Sequence, residues 1–331
     1  MSDGDGVSRM IEPDPYPSTR LRAPTIRSRM MLQIASHLVG LPEWAEKQVM
    51  VELREQGAEE FRYRLLGGDS PKSIVDVASG RIDVALVNPA AAARAGLRRA
   101  GLAAGSLASI ATIPSYDQLG LAVSSTFGIS RIEDLPTARP RLRLTLRAQR
   151  DHAVQDFIVD ALGAVGVGLA DLIDWGGTVS YDPGLPHLPE RAALIERGEV
   201  DAVFDEGVYN WGELAMSKGM RFLEFGDETL ARLEAQGYKR GWLTPERFPS
   251  LTGPIATLDF SGFMIYTRPG APDQLVEGIC RALVAEHEHI AWQGGDSLPL
   301  ELMAADRLDA PLAVPLHPAA QRFWKSRGIG D

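Results

Sequence analysis

The 331-residue chain has a single cysteine, Cys280, which excludes an intramolecular disulfide and any cysteine-based metal cluster. Cys280 falls in the apolar periodicity of Leu275 to Leu283 and reads as a core residue. No run of eighteen apolar residues occurs, so no transmembrane helix and no membrane-embedded state are expected. Basic residues are short: 34 Lys and Arg against 44 Asp and Glu give a net charge of −10, which argues against a phosphate-backbone binder and so against a nucleic-acid partner. Also missing are GxGxxG, the Walker loop, the GxSxG elbow and HExxH. His287 and His289, with Glu286 and Glu288 between and beside them, look metal-like, but i,i+2 spacing on a helix makes ligands diverge. No metal and no cofactor are expected.

What is present is the composition of an ordinary globular protein, 45% hydrophobic and 24% charged, at a length that suits two lobes. Residues 1 to 20 read as a disordered tail. Leu21 to Ile26 reads as a short strand and Ser28 as the cap of an amphipathic helix from Arg29 to Val39. Strand-like alternation at Val49 to Glu55 and Phe61 to Leu66, a helix over Ser70 to Ala78 and a buried strand at Ile82 to Val87 make βαβ grammar with a parallel sheet. The basic, alanine-rich stretch from Ala90 to Ala104 reads as a surface helix. Strands follow at Leu107 to Ile113 and Gln118 to Val123, then at Leu142 to Leu146 with a helix capped by Asp151. Thr178 to Pro189 reads as a loop, Glu190 to Arg197 and Tyr209 to Lys218 as helices, Ala202 to Phe204 as a strand. Thr257 to Thr267 reads as one long strand returning to the first lobe, before a helix from Pro272 to Ala291. The expected division is 21–122 with 256–331 in lobe 1 and 123–255 in lobe 2.

Several segments together carry a family resemblance over roughly residues 60 to 330. The ending Pro315-Leu316-His317-Pro318-Ala319-Ala320, with Phe323-Trp324 and Gly328-Ile329, resembles the "LHPGA…YY…GL" close of TAXI-type solute receptors of TRAP transporters. In the expected order come Gly67-Gly68-Asp69-Ser70 before Gly80-Arg81-Ile82-Asp83-Val84-Ala85, then Gly128-Ile129-Ser130-Arg131-Ile132-Glu133-Asp134-Leu135, then Gly198-Glu199-Val200-Asp201-Ala202. The resemblance implies a two-lobed α/β fold of the periplasmic-binding-protein type II kind, joined by two crossing strands and closing by hinge motion. It implies non-catalytic binding of a small anionic organic solute, a carboxylate, with TRAP membrane subunits as partners.

In open α/β sheets ligands bind beyond the carboxyl ends of the strands, near helix N-termini. Four segments qualify. In the first, where receptors carry glycines, stand Arg27, Ser28 and Arg29, forked donors suited to a carboxylate or simply solvated residues opening a helix. The second offers Ser70 and Ser73, with Asn88 just past the next strand, against a reading in which Asp69 and Ser70 only cap and Asn88 only turns the chain. The third, Arg147, Gln149, Arg150 and His152, places donors at a helix start in place of the family's "GSGT". The fourth combines Glu206, Tyr209 and Asn210 with Asp205 and Trp211, and there Glu206 can pair with a cleft arginine when no ligand is bound.

The rival reading is a cytoplasmic enzyme on the same fold, a decarboxylase or biosynthetic enzyme acting on an aromatic or dicarboxylic acid, with His152, Asp151 and Glu206 as acid or base. A cytosolic ligand sensor is a third. Met1 to Pro17 is polar and acidic, Gln33, Ser36 and His37 interrupt the apolar stretch that follows, and the chain as written is expected in the cytoplasm; the family role implies the periplasm.

Overall fold

The computed structural model describes residues 23–39, 47–60, 62–68, 70–293 and 295–329. The expected tail over residues 1 to 20 and the candidate cap Asp69 lie outside the described residues. Two units separate, residues 1–44 and 45–331. In the first, helix α1 spans Ala23–Val39. The expected strand before Ser28 is therefore helical from Ala23, and Ser28 is an interior position, not a cap. Arg27, Ser28, Arg29 and Met30 to Ile34 are all exposed on it.

The second unit carries two five-stranded sheets. The strands of the first are β1 (Gln48–Leu53), β2 (Tyr63–Gly68), β3 (Val84–Val87) and β4 (Ala108–Ile113), with α2 (Ser73–Ala78) and α3 (Ala92–Arg99) as connections. The chain then crosses to the second sheet through 114–119 and enters β5 (Gly120–Ser124). There follow α4 (Leu135–Ala138), β6 (Arg143–Arg147), α5 (Ala153–Ala164), α6 (Leu169–Asp174), β7 (Thr178–Asp182), α7 (Pro189–Glu196), β8 (Ala202–Asp205), α8 (Val208–Ser217), β9 (Met220–Phe222) and α9 (Asp227–Ala235). A hairpin of β10 (Arg240–Leu243) and β11 (Ile255–Leu258) leads through 259–262 back to β12 (Phe263–Thr267) in the first sheet, then to α10 (Asp273–Ala285) and α11 (Pro318–Lys325).

Each sheet takes in the strand that crosses to it. The orders are β1-β2-β3-β12-β4 and β7-β6-β8-β5-β9. β12 runs antiparallel between β3 and β4, and β5 runs antiparallel between β8 and β9. This reciprocal insertion gives the two-lobed type II architecture with two crossing segments. Because Gly120 pairs with Asp205 at the start of β5, the carboxyl ends of β8 and its parallel neighbour β6 point toward the crossings, which is where a cleft belongs.

Apolar spacing explains the helices that back the sheets. α5 buries Val154, Phe157, Ile158, Ala161 and Leu162, and α8 buries Val208, Trp211, Gly212 and Ala215, each an i, i+3, i+4, i+7 stripe. Each fully buried large side chain contributes about 1.5–3 kcal/mol. α11 opens on Pro318, with the His317 ring accepting from the Ala319 N–H at 3.2 Å. Its Trp324 is fully buried and donates Nε1–H to the Ile110 carbonyl at 2.9 Å, so the ending docks on β4. Cys280 is buried as expected.

Three further expectations fail and a fourth holds in part. Over Ala90 to Ala104 the helix runs only from Ala92 to Arg99, with Arg94, Arg98 and Arg99 exposed as on a surface helix but Ala90 to Ala93, Ala95 and Leu97 buried. Asp151 does not cap α5; His152 does, through its ring. The loop expected over Thr178 to Pro189 contains β7, whose Val179 and Tyr181 alternate with polar residues and pair in parallel with β6. The long strand expected over Thr257 to Thr267 is interrupted by the crossing at 259–262.

Candidate functional site

Five polar side chains converge where the carboxyl ends of β6 and β8 meet the first crossing. Arg147, the last residue of β6, has a side chain only 9% exposed. Its guanidinium donates to Asp205 Oδ1 at 2.8 Å and to Glu206 Oε1, the two residues that end and follow β8. The other oxygen of Asp205 accepts from Arg191 of α7 at 2.5 Å, and both of those side chains are fully buried. Asp117 closes the group from the crossing segment, where its Oδ1 accepts the Gln118 and Gly207 N–H groups, each at 2.7 Å. Gly207 reaches it in the left-handed region, φ 68°, which favours glycine.

Burial pushes the Asp117 carboxyl well above the usual carboxylate range, opposed by the Gly207 and Gln118 N–H groups and the Arg147 charge, and reinforced by Asp205. The cluster therefore holds two guanidiniums against Asp205 and Glu206, with Asp117 as a third carboxyl. Arg147 Nε and Arg191 Nε are buried without a hydrogen-bond partner.

His152 lies beside Arg147, its Nε2 3.2 Å from the guanidinium, while Nδ1 accepts the Val154 N–H at 3.2 Å. With Nδ1 accepting from Val154, the neutral ring carries its proton on Nε2, so the approach to the Arg147 guanidinium is a contact between two donors and not a hydrogen bond. Burial first, and then the Arg147 charge, lower its pKa well below the ordinary value. Its ring stacks on Phe260 of the second crossing at 6.2 Å. No carboxylate orients this histidine among the described residues, and Asp151, its neighbour, keeps Oδ2 buried and unpartnered. His152 is placed to cap α5 and brace Arg147; the geometry of an acid–base pair with Asp151 is not formed.

Arg150 is exposed and lies over the Tyr181 ring, 3.1 Å from its centroid. Gln155 donates to the carbonyls of Arg147 and Gln149, at 2.7 and 3.2 Å, fixing the turn between β6 and α5. In the first lobe Asn88 donates to the Gly262 carbonyl at 3.2 Å, which brings the end of β3 to the same crossing that Phe260 occupies. Ser73 is spent on the lobe's interior, its hydroxyl 2.8 Å from Tyr266 Oη and 3.2 Å from the Ser70 carbonyl. Ser70 Oγ accepts the Lys72 N–H at 3.4 Å, a weak cap. Tyr209, 48% exposed, and Asn210 stand on the outer side of α8, while Trp211 is buried and donates to the Glu206 carbonyl at 2.8 Å. Arg27, Ser28 and Arg29 belong to the separate N-terminal unit.

Arg191 and Asp117 were not among the sequence candidates for binding. Arg191 hides in a helix whose pattern looks amphipathic and exposed; only its place on the buried face marks it.

The lobes are also tied at their rims. Arg98 of α3 meets Asp160 of α5 at 2.7 Å, and Arg99 meets Asp156 at 3.0 Å and Asp160 at 2.9 Å. A groove of about 1240 Å³ lies elsewhere, between the end of α5 and the start of α9. Its Glu133 is committed to the Gly226 N–H at 2.8 Å and to Thr229, so that carboxylate is used in capping α9.

No family model matches the chain. Solved structures similar to it include an alkanesulfonate-binding protein from Xanthomonas axonopodis pv. citri bound to MOPS, 17% identical over 67% of this chain and 61% of that one, with a TM-score of 0.31. A glycine betaine/L-proline-binding protein from Borrelia burgdorferi is 18% identical over 65% and 66%, with a TM-score of 0.36. An ATP phosphoribosyl transferase complex from Thermotoga maritima is 10% identical over 77% and 90%, with a TM-score of 0.29. The chain thus spans 61% and 66% of the two binding proteins. At such scores these likenesses carry no ligand or activity across.

Proposed function

We propose that the protein is a solute-binding protein of the TAXI kind, which closes two lobes on a small organic anion and holds its carboxylate on Arg147. The observation that carries this reading is the Arg147–Glu206 contact: a nearly buried guanidinium at the cleft, engaged by a carboxylate from the residue just past β8. A carboxylate that can be exchanged for a ligand's own is what a preformed anion site holds while empty, and a planar fork matches either. Entry requires the lobes to part, which breaks the Arg98 and Arg99 pairs across the rim and reforms them on closure. In this reading the partners are TRAP membrane subunits and the compartment is the periplasm.

The test is a thermal-shift screen of small carboxylic acids against wild type and Arg147→Ala. A ligand at a hundred times its dissociation constant adds about 2.7 kcal/mol of stability, and the variant should lose that response. Equal responses in both proteins would remove Arg147 from the site, and chemical conversion of a stabilising acid would replace the binding role by an enzymatic one.

A further inference from the structure

We infer that β1 is an interface: two copies of the chain pair antiparallel along this strand, about a two-fold axis, and join their first sheets edge to edge. The contact is independent of the ligand. β1 ends the order β1-β2-β3-β12-β4 and pairs with β2 in one unbroken register from Gln48 to Leu53. Among the described residues no strand pairs with its other edge, so a row of N–H and C=O groups about 20 Å long is left open. Proteins guard such edges with proline, lysine or a bulge. Gln48 to Leu53 has none of these, and its one charge, Glu52, is already paired with Arg64 of β2 at 3.1 Å. None of the six residues is buried, and Met50 and Leu53 are 48% and 41% exposed.

The strand is complementary to itself, which selects a second copy as the partner. Outward N–H and C=O groups recur at every second residue, so a two-fold antiparallel pairing must centre on a residue and never between two. Centred on Val51, it sets Lys47 against Glu55 of the second copy at both ends, and Val49 against Leu53 inside them. With the strand continued through Lys47 and Glu55, these positions share one face. On the other face Gln48 opposes Arg54 and Met50 opposes Glu52. A centre at Met50 instead sets Lys47 against Leu53, and one at Glu52 sets Glu55 against Val49; either puts a charge on an apolar side chain. Glu55 is held by Arg62 in an exposed pair at 2.7 Å, which costs little to exchange.

Pairing along one strand buries too little for a permanent dimer, so exchange with monomer should fall between about 1 μM and 1 mM. The test is sedimentation velocity of the full chain across that range, for wild type, Lys47→Glu, Glu55→Lys and an equimolar mixture of the two variants. Wild type should move toward twice the chain mass as concentration rises. Each variant alone sets like charges against each other at both ends and should dimerise about tenfold or more weakly. In the mixture opposite charges meet again at both ends, and the wild-type affinity should return, which also shows that both variants fold. Wild type that stays monomeric throughout, as when the N-terminal residues of the same chain cover the strand, would overturn the pairing. So would a dimer that neither variant weakens, or a mixture that associates no more tightly than its parts.

Discussion

Replacing Arg191 by methionine tests the buried network where it is most exposed to refutation. The side chain is fully buried and donates to Asp205 Oδ2 at 2.5 Å, to the Gly184 carbonyl at 3.0 Å and to the Thr145 carbonyl at 3.4 Å. Methionine has similar length and no donor, so the variant leaves Asp205 Oδ2 buried without its guanidinium while Oδ1 keeps Arg147. Removing one partner of a buried pair costs about 3–5 kcal/mol. At about 2–4 °C per kcal/mol for chains somewhat shorter than this one, the melting temperature should fall on the order of 10 °C. Urea unfolding followed by tryptophan fluorescence and circular dichroism measures the loss. Arg322, in an exposed pair with Asp273 at 2.6 Å, is the control, and Arg322→Met should cost less than about 1 kcal/mol. An Arg191→Met loss no larger than that of the control would refute the claim that Arg191 and Asp205 are a buried, coupled pair.

Two further outcomes concern the crossings. Burial raises the Asp259 carboxyl from 3.8 to about 6, so the folded state holds this proton more tightly than the unfolded chain. That contribution is complete below about pH 4 and lost as pH rises through about 6, a change of about 3 kcal/mol at 1.4 kcal/mol per unit. The stability of wild type minus that of Asp259→Asn should therefore fall by this amount across the window in parallel urea titrations; a flat or rising difference contradicts the buried carboxyl. Gly241 packs under the same crossing, where an added Cβ would meet Gln118 Oε1 and stand 2.7 Å from the Asp259 nitrogen. Gly241→Ala should cost about 1–3 kcal/mol by overpacking, whereas Gly253→Ala, with open space around it, should melt close to wild type.

The architecture was readable where one residue pattern had one structural solution. The helix, glycine turn and short apolar strand ending at Asp205 are found as α7 and β8, and the close from Pro315 to Ile329 docks as a helix anchored by Trp324. Reading failed where tertiary contact chose between local options. Ala90 to Leu97 looks like an alanine-rich surface, but small side chains also permit close approach between lobes, and here they are buried. The crossing at 259–262 looks continuous with its flanking strands because Phe260 is apolar; its role comes from stacking on His152, more than a hundred residues away along the chain.

The site divides in the same way. Arg147, His152 and Glu206 could be placed from strand ends and helix starts, and they do meet. Arg191 and Asp117 could not, since a buried arginine in a helix and an aspartate in a turn resemble countless exposed ones until their partners are known. Ser73 illustrates the opposite error. A helix-start serine beyond a strand end fits the rule for ligand contacts, yet its hydroxyl is taken by Tyr266.

The account turns on what occupies Arg147 when the cleft is filled, and a crystal structure of the protein with a compound that stabilises it answers that directly. The expected result is a ligand carboxylate at roughly 2.7–2.9 Å from the Arg147 guanidinium, with Glu206 swung off the arginine while Asp205 still bridges Arg147 and Arg191. A ligand bound in another part of the molecule, with Glu206 still paired to Arg147, would contradict the account.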